Sequence, residues 1–212
     1  MKTNKTMNCL ASVIAASLIT VSASYAATIP MSITAFDAST TDAVFVVKSK
    51  GWRDPAFGNM GWTHSSAWGT FKAKKGQLVS IKMVAADAGI HPGSTVWYRG
   101  ADDTAADNYV VDHFYPQNAN FAKFGAVDET DGTSLGNIVM THVLHGYDQD
   151  GNSLKVKSMG GKVDQVSGQL LLKFKAPYTG DYMFVTSGFN PDANIDTTLK
   201  LPYNIDVNVT VK

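Results

Sequence analysis

The sequence predicts a mainly β protein: a single-domain antiparallel β-sandwich with long irregular loops and little helix. Period-two alternation is clearest at residues 204–212, which read NIDVNVTVK. This pattern is typical of a strand that is buried on one face. Turn sequences rich in Gly, Pro, Asn and Asp separate the apolar segments. Many short strands joined by such turns favour a sandwich over a parallel α/β sheet.

Several other segments have strand character. GQLVSIKMVA at 76–85 and GQLLLKFKA at 168–176 each alternate apolar residues with polar or charged ones. Further segments combine β-branched and aromatic residues between turns. These additional predicted strands lie at residues 44–48, 95–99, 138–147, 154–158 and 181–187.

The beginning of the chain is predicted to be a secretory signal peptide. Two lysines precede an apolar run at residues 10–21, and small residues precede an expected cleavage after Ala26. The run is shorter than the roughly 20 residues that span a bilayer. We therefore expect a leader at 1–26 and one secreted domain at 27–212.

The single cysteine, Cys9, lies in the predicted leader. The secreted domain would then lack thiols, which excludes disulfides, thiolate metal sites and a cysteine nucleophile. Lys plus Arg and Asp plus Glu each number 18 in the full chain. This balance gives no electrostatic reason to expect a nucleic acid partner.

The most specific chemical feature is Trp62 followed by His64, within GNMGWTHSSAWGTF at residues 58–71. On a strand, side chains at positions i and i+2 project from one face, with Cα atoms about 6.5 to 7 Å apart. His64 offers an imidazole nitrogen to a metal, whereas an intact indole is a poor ligand because its N–H only donates. Trp62 would therefore shield the site from water, contact a cation with the face of its ring, or coordinate the metal after oxidation to kynurenine.

Three segments carry a resemblance to a known family: GWTHSSAWGTFKAKKGQ, GIHPGSTVWYRGADDTAADNYVVDHFYPQ and GYDQDGN. They resemble the CorA family of surface-associated copper-binding proteins of methanotrophic bacteria, which is related to the C-terminal part of MopE. The resemblance implies a secreted copper-acquisition protein on the outer surface of a Gram-negative cell. It also implies a mononuclear Cu(I) site of two histidines and a tryptophan-derived kynurenine, with a dihaem cytochrome peroxidase as a candidate redox partner.

On that resemblance, Trp62 is the residue that becomes kynurenine and His64 is the first imidazole ligand. We choose His113 as the second imidazole because it lies in the irregular stretch YVVDHFYPQ, which can bring a ligand to a sheet surface. His145 is the alternative second ligand. Nitrogen donors of this kind suit Cu(I), and zinc is the chief rival ion.

The remaining histidines have structural interpretations. Strand alternation predicts that His142 shares a face with Met140 and Leu144 and packs in the core, while His145 lies on the opposite face. His91 precedes a proline and is expected at a turn.

A calcium ion is a further candidate. In YDQDGN, the residues Asp148, Asp150 and Asn152 supply oxygen atoms at alternating positions, as calcium loops do. An Asp-Gly turn between two strands explains the same residues equally well.

Other functions are weighed against copper binding. An extracellular adhesion or carbohydrate-binding module without copper would need only the sandwich and exposed aromatic side chains. A copper-dependent polysaccharide monooxygenase would need a histidine at its mature N-terminus, which the expected start at Ala27 lacks. Neither a Ser-His-Asp arrangement nor a Gly-x-Ser-x-Gly motif is evident. We therefore expect a binding protein and not an enzyme.

Overall fold

The fold is seen in a computed structural model of the chain, and all of its regular elements within the described residues are strands. No helix in this part of the chain is long and apolar enough to cross a membrane. The structure describes residues 28–30, 32–48, 66–111, 120–148, 162–163, 166–189 and 202–212.

Strands follow one another along the chain with turns between them. In chain order they are β1 (Thr28–Pro30), β2 (Ile33–Ala35), β3 (Asp42–Lys48), β4 (Ala67–Ala73), β5 (Leu78–Ala85), β6 (His91–Arg99), β7 (Tyr109–Val111), β8 (Phe121–Val127), β9 (Ser134–Tyr147), β10 (Lys162–Val163), β11 (Gln169–Lys175), β12 (Gly180–Phe189) and β13 (Pro202–Val211).

Two sheets pack against each other. The larger sheet has the order β10-β9-β6-β12-β4-β2, and β8 also pairs with β9. The smaller sheet has the order β11-β5-β13-β3, and β1 pairs with β7 in a separate two-stranded ribbon. The prediction of a mainly β sandwich is therefore confirmed.

The pairing differs from the prediction at the edges of the larger sheet. There, β2 runs parallel to β4 and β10 runs parallel to β9, whereas the other strand pairs are antiparallel. The strands predicted around 44–48, 95–99, 138–147 and 181–187 are all present and extend beyond the predicted bounds. The segment predicted at 154–158 lies outside the described residues.

The first hydrophobic core lies between the two sheets. Alternating residues of β5, β11 and β13 point into it from the smaller sheet, and Phe184 reaches it from the larger sheet. The Phe184 ring stacks on that of Phe45, with ring centroids 5.9 Å apart. Fully burying one such large apolar side chain stabilises the fold by about 1.5 to 3 kcal/mol. Packing in this core therefore sets the position of the larger sheet relative to the smaller one.

A second core covers the opposite face of the larger sheet. Its buried members include Trp68 of β4, Trp97 of β6, Met183 of β12 and Met140 of β9. The larger sheet is thus covered on both faces, and side chains that point away from the first core are still removed from water. His145 of β9, the alternative second ligand, lies on this second face.

Candidate metal centre

The ligands chosen from the sequence lie outside the described residues. This applies to Trp62, His64 and His113 alike, so their assignment to a copper site stays a prediction. The other three histidines, His91, His142 and His145, are described, and the structure shows what each of them contacts.

A β-bulge determines the direction of the two histidines of β9. Val96 of β6 is opposite Leu144, but the next residue, Trp97, is opposite His142, so that Val143 is an extra residue in β9. Such a residue reverses the alternation of side chains beyond it. His142 and His145, three positions apart, consequently lie on the same face of the sheet.

The expectation that these histidines occupy opposite faces is therefore wrong. Leu144 points into the first core, whereas Met140 belongs to the second core, and His142 follows Met140 by two positions. The prediction assumed regular alternation through the strand. One inserted residue invalidates that assumption for every position after it.

The two imidazoles are in direct contact. Nε2 of His142 and Nδ1 of His145 are 3.1 Å apart, and the ring centroids are 5.2 Å apart with an interplanar angle of 47°. A hydrogen bond at this distance uses one proton, carried by one nitrogen and accepted by the other. The pair therefore has a donor and an acceptor role that can be exchanged between its members.

Burial keeps both rings neutral near pH 7. It lowers the pKa of His142, and burial together with the neighbouring His142 lowers the pKa of His145 to about 4. The cause is physical: a charged imidazolium loses hydration when buried, and a second imidazolium beside it would repel it. Only 2% of His145 is exposed, and His142 is half-buried. Neutral imidazole is the form that binds metals.

Four buried side-chain polar atoms have no hydrogen-bond partner within the described chain. They are Nε2 of His145 in β9, Oγ of Ser94 in β6, Nε1 of Trp68 in β4 and Oγ of Ser66 just before β4. They do not form one cluster, because β6 and β12 lie between β9 and β4. Trp68 also stacks on Trp97, with centroids 6.0 Å apart. An unpaired buried polar atom typically costs about 1 to 3 kcal/mol, so each of these atoms differs from the apolar core around it.

His91 has a different environment. It is the first residue of β6 and not a turn residue as expected, and its Nδ1 contacts both carboxylate oxygens of Asp148 at 3.0 and 2.9 Å. The Gly168 N–H donates to the same carboxylate at 2.6 Å. This pair joins the end of β9 to the start of β6. This pair could not be predicted from the sequence, because His91 and Asp148 are distant along the chain.

The contacts of Asp148 also bear on the calcium prediction. Its oxygen atoms bond to protein groups, while Asp150 and Asn152 lie outside the described residues. Within the described part of the chain, no cluster of three or more His, Cys, Asp or Glu side chains is arranged to hold a metal ion. Calcium binding stays a prediction.

The described residues define a class of protein, a two-sheet β protein with a pair of buried, neutral imidazoles whose nitrogens can act as donors for a soft metal ion. The chain belongs to the family described as copper(I)-binding protein CorA-like, whose model matches residues 24–196. Among curated protein sequences, none matches the chain significantly.

Two solved structures are similar over most of the chain. One is CorA of Methylomicrobium album BG8, described as a surface-associated copper-binding protein important in copper acquisition, with a TM-score of 0.74 and 29% identity, over 87% of this chain and 100% of that one. The other is the secreted protein MopE of Methylococcus capsulatus, in which an oxidised tryptophan facilitates copper binding. Its TM-score is 0.55 with 16% identity, again over 87% and 100% of the two chains. The second similarity supports the fold alone.

Proposed function

We propose that this protein is a secreted copper(I)-binding protein that acquires copper at the outer surface of a Gram-negative cell. The observation that carries the proposal is membership of the copper(I)-binding CorA-like family over residues 24–196. The structural similarity to CorA, which spans the full length of that chain, supports the same function. Copper is cargo in this proposal, and the role of the protein is binding without turnover.

The proposed site consists of His64, His113 and a kynurenine formed from Trp62. Kynurenine formation turns an indole that can only donate a hydrogen bond into an aniline amine that can coordinate. Two imidazoles and an amine form a nitrogen donor set, which suits Cu(I) and does not favour hard cations such as calcium or magnesium. The oxidation consumes dioxygen, and hydrolysis then releases the lost ring carbon as formate. We propose a dihaem cytochrome peroxidase as the redox partner that carries out the oxidation.

The described residues support a polar site near the start of β4. Ser66 follows His64 by two positions, so their Cα atoms are no more than about 7 Å apart. The buried hydroxyl of Ser66 and the buried indole N–H of Trp68 both lack partners within the described chain. The part of the sheet that adjoins the Trp-x-His motif therefore already contains polar groups removed from water.

Mass spectrometry of protein purified from its native host tests the modification. We expect an increase of about 4 Da at Trp62, because conversion to kynurenine replaces a ring carbon by oxygen in a residue whose indole N–H otherwise only donates. Trypsin leaves Trp62 and Trp68 in one peptide, since no Lys or Arg separates them; fragment ions must therefore distinguish the two. Trp52 and Trp97 lie on other peptides and serve as internal controls.

Metal analysis and substitution test the ligands. We expect His64→Ala and His113→Ala each to weaken Cu(I) binding in competition with a chromogenic Cu(I) chelator under anaerobic conditions. If His113→Ala and His142→Gln both bind Cu(I) normally and His145→Ala does not, the second ligand is His145. Unchanged Cu(I) binding in the His64→Ala variant would refute the proposed site.

The rival function is an adhesion or carbohydrate-binding module without copper. Carbohydrate rings commonly stack on exposed aromatic side chains, but Trp68 and Trp97 are both buried. The exposed aromatic side chains among the described residues include Phe124 at 70% and Tyr178 at 47%. Glycan binding that persists after complete copper removal, in protein without bound copper when isolated, would support this alternative.

A further inference from the structure

We propose that His142 and His145 form a second copper(I) site, separate from the site of Trp62, His64 and His113. In this second site a cuprous ion bridges Nε2 of His142 and Nδ1 of His145, the two atoms that are 3.1 Å apart. The proposal goes beyond the proposed function because it concerns different residues and adds a second equivalent of copper.

The geometry requires a small movement of the rings. With metal–nitrogen bonds of about 2 Å, two nitrogens on one ion are about 3.5 Å apart in a trigonal arrangement and about 4 Å apart in a linear one. The observed 3.1 Å therefore has to increase by about 0.4 to 0.9 Å. Rotation of His142, which is only half-buried, can provide this separation without moving the backbone.

The bulge at Val143 creates this contact. In a regular strand, residues three apart point to opposite faces, so these histidines would be separated by the thickness of the sheet. The extra residue in β9 places both imidazoles on one face and interrupts the regular hydrogen bonding between β9 and β6.

When the ion binds, the proton shared by the two imidazoles can move to another nitrogen of His145. In the tautomer in which Nδ1 of His145 donates to Nε2 of His142, the remaining nitrogen of His145, Nε2, carries a lone pair. That Nε2 is buried and has no partner within the described chain. Transfer of the proton from Nδ1 to Nε2 frees Nδ1 as a ligand. Both rings remain neutral, and no redox change or net proton release is needed.

The surroundings favour a monovalent soft ion. Within the described residues, the nitrogens of the two imidazoles contact each other, and neither ring has a hydrogen bond to a carboxylate. Because the cost of burying an ion without a counter-charge rises with the square of its charge, a divalent ion would cost about four times as much as Cu(I). Cu(I) also accepts two nitrogen ligands, whereas Zn²⁺ takes four.

The apolar second core protects such an ion from water. Trp97 is opposite His142 in the neighbouring strand and is 1% exposed. Met140 precedes His142 by two positions on the same face and is also buried. The half-buried His142 leaves an approach from solvent, while His145 closes the inner side.

Anaerobic Cu(I) titration of the full secreted chain tests the proposal. We expect the wild-type protein to bind two equivalents in competition with a chromogenic Cu(I) chelator, and His142→Gln to bind one. The His64→Ala, His113→Ala double variant should also bind one, and adding His142→Gln to it should abolish binding. His142 is chosen because it is only half-buried, and thermal unfolding of each variant checks that it folds.

Anomalous scattering at the copper edge, from crystals exposed anaerobically to Cu(I), locates the ion directly. A peak between the two rings that is absent from His142→Gln crystals supports the proposal. Two results would overturn it: no copper in the His64→Ala, His113→Ala variant, or equal stoichiometry in His142→Gln and wild type. Neither result affects the proposed site of His64 and His113, which fails instead if that double variant keeps the full wild-type stoichiometry.

Discussion

Protonation of His145 should destabilise the metal-free protein between about pH 6.5 and pH 4. Burial and the neighbouring His142 lower the pKa of His145 from its ordinary value of 6.5 to about 4 in the folded state. As the pH falls through 6.5, the unfolded chain takes up a proton that the folded chain does not. The unfolded state is therefore favoured by acid across this range, whereas above about pH 7 the contribution is constant.

The size of the effect follows from the two pKa values. They differ by about 2.5, and each pKa unit corresponds to about 1.4 kcal/mol. The free energy of unfolding should therefore fall by about 3 kcal/mol in total, with a slope approaching about 1.4 kcal/mol per pH unit in the middle of the range. This is a large fraction of the 5 to 15 kcal/mol that is typical of a folded domain.

Urea unfolding of chelator-treated protein at several pH values between 7.5 and 4.5 measures this dependence. His145→Gln removes the titrating group and should flatten the curve. Carboxyl groups act in a lower range: the hydroxyl of Ser39 lowers the pKa of Asp37, and that of Thr130 lowers the pKa of Asp128. Their stabilisation is lost only as the pH falls below about 4. Parallel curves for wild type and His145→Gln would refute the reasoning.

Three further predictions concern stability at pH 7 and are measured by chemical unfolding. Gly69→Ala should cost about 1 to 3 kcal/mol through overpacking, because its Cβ would meet a phenylalanine ring of the first core at 2.5 Å. Asp103→Asn should cost about 3 to 5 kcal/mol because it breaks the buried ion pair with Arg99; Lys72→Ala, at an exposed pair, should cost under about 1 kcal/mol. Tyr182→Phe should cost about 1 kcal/mol, since the buried hydroxyl donates to a backbone carbonyl at 2.6 Å. A Gly69→Ala variant as stable as wild type would contradict the first prediction. A smaller loss of stability in Asp103→Asn than in Lys72→Ala would contradict the second.

Much of the fold could be predicted from side-chain alternation. In β5, Val79, Ile81 and Met83 are all fully buried, as the pattern of GQLVSIKMVA indicates. Period-two alternation reports which face of a strand is covered, and it does so independently of the partner strands. It carries no information about strand order. The parallel pairs at the sheet edges, β2 with β4 and β10 with β9, consequently had no signal in the sequence.

The orientation of His142 and His145 could not be predicted for a related reason. A bulge adds one residue to one strand of a pair, and it exists only relative to the neighbouring strand. Nothing in MTHVLHG indicates that Val143 is the extra residue. Trp68 and Trp97 are buried on the second face of the larger sheet, and this position depends on the register of β4, β12 and β6.

The three described histidines differ in the groups that contact them. His91 is bonded to the buried carboxylate of Asp148. His142 and His145 contact each other, and neither gains from being charged, because burial and mutual repulsion oppose it. Adding a further proton to this hydrogen-bonded pair is therefore unfavourable, whereas a metal ion that two neutral nitrogens coordinate gains bonds that offset its burial. The same reasoning applies to the proposed second copper site: buried, uncharged imidazoles offer a soft metal ion lone pairs that are not occupied by protons at neutral pH, without a thiolate.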